Sequence, residues 1–164
     1  MRIEDAVKRR RSIRRYGKGL PDEGLIIKII EAGTWAPSGL NNQPWKFKIV
    51  KGKQKDGLAE FTKYGKILEE APAAICVFLD NGSTYSREKD IMAIGASIEN
   101  MLLVAYESGL GTCWLGEILN RRKEVEAFLG TDKDHELMAV VTLGYPSPGA
   151  AKGCRKNVKS FILK

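Results

Sequence analysis

Histidine and cysteine are scarce in this chain of 164 residues, which holds one of the former, His135, and three of the latter. Cys76, Cys113 and Cys154 are odd in number and widely spaced, so they form neither a disulfide framework nor a zinc site, and a Cys/His cluster has almost no ligands to draw on. Metal chemistry is not expected. Nowhere do about 18 apolar residues run uninterrupted, and the opening MRIEDAVKRRR has no apolar core of the signal-peptide kind. No membrane association is expected, and the chain is placed in the cytoplasm. The standard phosphate loops are missing as well. There is no GxxxxGK[ST], and the GxG pair in GLGTCWLGE (109–117) follows a helix and precedes a strand, the reverse of a dinucleotide fingerprint. Those glycines read first as a helix stop and close packing, and only second as a ligand contact. His135, between charged residues in a loop before a strand, reads as a surface residue, and Cys113, between Thr112 and Trp114, as an inert core thiol. Any hard chemistry therefore has to come from a cofactor.

What the chain does have is the composition of a soluble globular domain, 43% apolar and 29% charged residues, with enough length to bury a core. Its net charge of +7 is unevenly placed: residues 1–18 carry +6 and residues 152–164 carry +5, leaving −4 for the stretch between. Two basic ends around a mildly acidic middle fit either a smeared nucleic-acid surface or two segments converging on one polyanionic group such as a phosphate.

Periodicity outlines the elements. Residues 3–11 read as a short helix, and Pro21-Asp22 opens a second one with Leu25, Ile26, Ile29, Ile30 and Ala32 as its core stripe, stopped before Pro37. WKFKIVKG alternates in period two, with Trp45, Phe47 and Ile49 on one face and lysines on the other. A helix is expected around 53–65, then the strand AAICVFLD, apolar enough to be covered on both faces. A long helix over 86–108 has apolar or small residues almost all round from Ile91 to Tyr106, which suggests burial by a second subunit. GTCWLGE is a short strand or turn, RRKEVEAFLG a helix with a glycine stop, and ELMAVVTLGYP a buried strand ended by Pro146. The tail SFILK is strand-like with nothing left to pair with in sequence order, and could add to a sheet edge of the partner.

Two stretches carry chemistry. RRRSIRRY (9–16) sets five arginines around a serine, suited to bidentate phosphate contacts but also compatible with a solvated basic face. APSGLNNQPW (36–45) is an uncharged run of amides, prolines and glycine, longer than an ordinary turn needs. It suits a planar ligand with in-plane donors and acceptors, against the alternative of side chains that only cap their own turns.

In this order, RRRSIRRY, APSGLNNQPW, IGASIENMLLVAYESGLGTCWLG and VVTLGYP followed by a basic tail resemble the FMN-dependent nitroreductase family over nearly the whole chain. The resemblance implies one FMN-binding domain over 1–164, with an α+β fold: a central, mostly antiparallel sheet flanked by helices, in an intertwined homodimer with an exchanged C-terminal strand. It places Arg10 and Ser12, with Arg11 joining, at the flavin phosphate and ribityl chain, and Arg14 at the pyrimidine edge, where a fixed cation favours the reduced ring. It assigns Pro37, Ser38, Gly39 and Asn41 to the isoalloxazine bound by the other subunit, and the backbone of Trp114, Leu115 and Gly116 to the face of flavin N5. In the tail it points to Arg155 first and Lys156 next for the phosphate, with Gly153 at a place often basic in the family. The implied activity is hydride transfer from NADH or NADPH through flavin N5 to a nitroaromatic, quinone or similar small acceptor, in ping-pong fashion. Reductive dehalogenation or flavin fragmentation on the same fold is the nearer alternative. Nucleic-acid binding is the more distant one, disfavoured by the few aromatics among the basic residues. Only about 35 residues separate the first strand from the long helix, so a short lid or an open pocket is expected.

Overall fold

A computed structural model describes residues 2–149 and 152–163. Helix α1 (Ile3–Arg9) and an extended segment lead to α2 (Glu23–Thr34), and the asparagine-rich loop then enters β1 (Trp45–Lys51). Two short helices, α3 (Gly52–Gly57) and α4 (Gly65–Glu70), precede β2 (Ala73–Asp80) and the long α5 (Arg87–Glu107). β3 (Gly111–Leu115), α6 (Arg122–Leu129) and β4 (His135–Gly144) complete the regular elements. The strands form one antiparallel sheet in the order β1-β2-β4-β3, so the fold is α+β as expected.

The apolar runs of β2 and β4 take the two central positions, where both faces are covered. Ala73, Ile75, Val77 and Leu79 of β2 pack toward α2 and α5, while Ala74, Cys76 and Phe78 meet Leu58, Leu68, Val125 and Leu129 on the other side. Full burial of each large aliphatic contributes roughly 1.5–3 kcal/mol, so the two-sided strands are the anchor of the fold. α2 starts at Asp22, whose carboxylate accepts from the Gly24 N–H at 2.9 Å, and it lies against α5 at Gly33. A Cβ at Gly33 would meet Met101 Cγ at 2.8 Å and Ser97 Oγ at 2.9 Å, so glycine sets how closely the two helices approach. α6 ends at Gly130, which takes a left-handed φ of 61° as a helix C-cap.

Three expectations, for residues 53–65, the lysine face of β1 and His135, need correction; α5 and the tail, expected to meet a partner, are each partly bare in the single chain. The residues of α5 that this chain buries, Asp90, Ala93, Ile94, Ser97, Ile98, Met101, Leu102 and Ala105, form one stripe only, and Met92 on the other side is 63% exposed. The side that includes Gly95 and Ala96 is covered only in part within the chain. The helix expected around 53–65 is divided: after α3 and a 3-10 turn (Leu58–Phe61), Thr62 is extended and α4 begins at Gly65. The buried Lys55 ammonium reaches across that break to the Leu68 and Glu69 carbonyls, and so closes the end of α4. The lysine face of β1 is not simply solvated, because Val50 is buried there and Lys48 Nζ donates to the Leu129 carbonyl, 2.6 Å away at the end of α6. His135 is the first residue of β4, half-buried and opposite Asp80, rather than a loop residue. The tail is no strand within this chain: Val158–Phe161 is a 3-10 turn capped by Asn157, and Ile162 and Leu163 are exposed, with Lys164 outside the described residues. No helix among the described residues is long and apolar enough to cross a membrane.

Candidate functional site

After α1 the chain straightens and lies along the edge of β3. Ser12 forms a parallel bridge with Thr112, and the Ile13 N–H donates to the Thr112 carbonyl at 2.8 Å. This approach requires Gly111, where a Cβ would come within 2.7 Å of Ile13 Cγ1. Tyr16 pins the segment from the other end: its hydroxyl donates to the Ile13 carbonyl at 2.9 Å and lies 2.7 Å from Thr142 Oγ1. Burial pushes that phenol far above its ordinary range, so it stays protonated and holds both bonds.

The result is an arginine cleft. Arg10, Arg11, Ser12 and Arg14 line a cavity of about 220 Å³ together with Lys152, Gly153, Cys154 and Arg155 from the tail. Arg10 Nε lies 3.4 Å from Glu99 Oε1, yet it is buried without a properly directed hydrogen bond. Arg11 donates to the carbonyls of Lys8 and Arg10, at 2.8 and 2.7 Å, and Arg155 to that of Cys154, at 2.7 Å. Among the described residues Arg11, Arg14 and Arg155 have no carboxylate within ion-pair distance, whereas Arg87 and Arg122 elsewhere share Glu136. Clustered guanidiniums with one carboxylate among them and an orphaned N–H repel one another until an anion arrives. A phosphate fits this donor set. A Cβ at Gly153 would lie 2.5 Å from Arg11 Cζ, so the Arg11 guanidinium occupies the space beside this glycine and would have to shift for a side chain. Lys152, which the motif did not single out, lines the cleft, and Lys156 lies exposed beyond it.

Farther along β3, Leu115 is buried in the layer formed with α4 and α6, while Trp114 points to the opposite side and is partly open. Gly116 ends the strand with free space where a Cβ would stand, so a ligand can approach its backbone. The turn is held by Glu117, whose carboxylate accepts from Thr62 Oγ1 at 2.6 Å and from the Lys63 N–H at 3.2 Å. These bonds, led by that of Thr62, keep the Glu117 carboxyl below the usual carboxylate range. The neighbouring Cys113 thiol is raised by burial, with the Arg14 charge opposing, and Cys76 is pushed up to about 12 by burial; neither is a nucleophile.

The asparagine loop is built differently. Leu40, Asn41 and Gln43 all have left-handed backbones, with φ of 56°, 54° and 50°. Such conformations cost on the order of 1–3 kcal/mol each for ordinary residues and collect at binding sites. Ser38 Oγ accepts from the Gln43 N–H at 3.0 Å, and Asn42 Nδ2 donates to the Ser83 carbonyl at 3.0 Å and to Asp90 Oδ1 at 2.8 Å. Pro37, Ser38 and Gly39 line a shallow depression of about 250 Å³ with Lys89, Met92, Ala93 and Ala96 of α5, and Asn41 is exposed. Within one chain this depression is separate from the arginine cleft. Three anchors escaped the sequence reading: Asp90, Glu117, and Tyr85, whose hydroxyl fills the space beside Gly39. For Asp90 and Glu117 the only signals were acids beside a helix start and a strand end, and Tyr85 had none.

A model of the Nitroreductase family matches residues 7–64 and 61–145. The chain belongs to this family. It is 33% identical over 150 residues, 90% of its length and 78% of the relative's, to a protein of Methanothermobacter thermautotrophicus named NADH dehydrogenase/NAD(P)H nitroreductase. It is 30% identical to an iodotyrosine deiodinase of Thermotoga neapolitana, with 95% of each chain covered. Among solved structures, a nitroreductase from Desulfovibrio desulfuricans in complex with FMN superposes with a TM-score of 0.96 at 37% identity, covering 100% of this chain and 96% of that one. The α+β architecture described above is thus the nitroreductase fold.

Proposed function

We propose that residues 1–164 act as one FMN-binding domain of a homodimeric oxidoreductase, which passes a hydride from NADH or NADPH to a nitroaromatic, quinone or similar small acceptor in two half-reactions. The observation that carries this reading is the arginine cleft, where the two basic ends of the chain meet around a space with too few carboxylates. Bound FMN would supply the redox chemistry, two-electron reduction by the nicotinamide and re-oxidation by the acceptor.

The chain's own residues bind and orient. Arg10, Arg11 and Ser12, with Arg155 and then Lys156, hold the phosphate end, and Arg14 stands as the fixed cation at the pyrimidine edge. Backbone N–H groups of Trp114, Leu115 and Gly116 face the reactive edge of the ring, where the bare Gly116 leaves room. Pro37, Ser38, Gly39 and Asn41 complete the ring site of the other subunit, which accounts for the loop lying apart from the arginine cleft of its own chain.

A dimer is supported by the unburied side of α5 and by a groove of about 590 Å³ between α1, α2 and α5, rimmed by Ile3, Trp35, Leu103 and Val104. The exposed Phe161, Ile162 and Leu163 are suited to pairing with a partner's sheet. The location we infer is the cytoplasm. The likeness to a deiodinase favours reductive dehalogenation as the second reading of the same site.

The test is the visible spectrum of protein saturated with FMN and washed, then titrated without oxygen with NADH and NADPH. Retained flavin colour that bleaches with either nucleotide is the expected result. Colourless protein would overturn the flavin reading, and release of halide from an iodinated phenol by the reduced protein would favour the second activity.

A further inference from the structure

Asp90, in the first turn of α5, is 0% exposed, and among the described residues no cation pairs with it. Its Oδ2 accepts from the backbone N–H groups of Tyr85 and Ser86, each at 3.1 Å, and its Oδ1 accepts from Asn42 Nδ2 at 2.8 Å. A buried carboxylate is costly unless its acceptor sites are filled, and here they are filled by the two backbone groups that lead into α5 and by one side chain from a loop 48 residues away. Asn42 is spent on this junction, since its amide nitrogen serves both Asp90 and the Ser83 carbonyl. It sits among the left-handed residues Leu40, Asn41 and Gln43. Without a tether those residues would relax toward right-handed or extended backbone, and Ser38, Gly39 and Asn41 would move with them.

We propose that Asp90 is a positioning residue: through Asn42 it holds the strained loop in the shape that meets the cofactor ring. The role rests on the flavin reading above. Preorganisation of this kind removes the ordering cost from the binding step, so its loss appears as weaker ligand affinity rather than as unfolding alone.

Two substitutions separate a loop tether from a helix cap. Asp90→Asn can keep one oxygen on the Tyr85 and Ser86 N–H groups but turns an N–H donor toward the Asn42 amide. Asn42→Ala cuts the same link from the loop side and leaves the cap of α5 intact. Hydrogen exchange is measured in the apoprotein at the Asn41 and Asn42 amides, which bond to the Ser38 and Gly39 carbonyls at 3.1 and 3.0 Å. The FMN dissociation constant is measured in parallel, well below the melting temperature of each variant. The expected result is exchange at least tenfold faster in both variants, an FMN dissociation constant raised about tenfold in both, and a double variant no worse than either single one. Unchanged loop exchange overturns the proposal, as does faster exchange with wild-type FMN affinity, which would leave Asp90 a helix cap. If wild-type protein takes up no FMN, the flavin reading falls, and the exchange data alone decide whether Asp90 sets the loop.

Discussion

The arginine cleft and the asparagine loop are the two halves of the proposed site, and they are prepared in opposite ways. The cleft collects charge from both chain ends on side chains that find few carboxylates, and its backbone is relaxed enough to bridge β3 at Ser12. The loop carries no charge, yet three of its residues are left-handed and it is fastened at Ser38 and Asn42. One half stores electrostatic repulsion that an anion relieves; the other stores backbone strain that its neighbours hold in place. The charged half should govern affinity and its salt dependence, and the strained half geometry.

The largest expected effect breaks the charged half. Arg11→Ala with Arg155→Ala should weaken FMN binding on the order of a hundredfold, since hydrogen bonds to charged groups contribute roughly 1.5–3 kcal/mol each. Titration calorimetry at two salt concentrations should also show a shallower salt dependence, and equal slopes would mean that the phosphate sits elsewhere. Arg14→Ala should cost about tenfold in FMN affinity and lower the flavin reduction potential, as loss of one charge-assisted contact implies. A dye-referenced anaerobic titration reads the potential, and an unchanged value removes Arg14 from the ring edge.

The strained half predicts a gain. Leu40→Gly should raise apoprotein stability by about 1 kcal/mol, because glycine takes a positive φ freely and the exposed Leu40 side chain packs against little. Denaturant melts check this, and a loss of stability would show that the left-handed residue is not strained. The smallest effect comes from the arginines that do have a carboxylate. Burial disfavours a charged Glu136, but the Arg87 hydrogen bond and the Arg122 and Arg87 charges prevail and lower its pKa from 4.5. The Glu136 contribution should therefore be complete above about pH 4.5 and fade as pH falls through the lower folded value. Acid melts of Arg122→Ala should show a flatter dependence in that window, and identical profiles would remove the pair from acid stability.

Strand alternation, apolar runs and glycine stops are local signals, and they make β1, β2, β4, α2 and α6 legible in the sequence. The two halves of the proposed site stand out for a similar reason, because unusual residue types are crowded together at 9–16 and 36–45. The misses share a cause. Asp90 looks like any acid at a helix start, and its meaning comes from Asn42 across 48 positions. The break between α3 and α4 depends on an extended Thr62 and on Lys55 reaching carbonyls 13 and 14 residues ahead. The open side of α5 and the unpaired tail are of another kind, because the sequence reading already left both to a second molecule.

Cys154 gives the protein a built-in reporter. Cys76 and Cys113 are buried and Cys154 alone of the three is exposed, on the tail that closes the arginine cleft. A thiol-reactive fluorophore should therefore attach at one place without any engineered residue, and its signal should change when an anion enters the cleft that Cys154 lines. Because the label would stand in the cleft itself, protection of Cys154 from modification by a bound anion is a second readout on the unmutated chain.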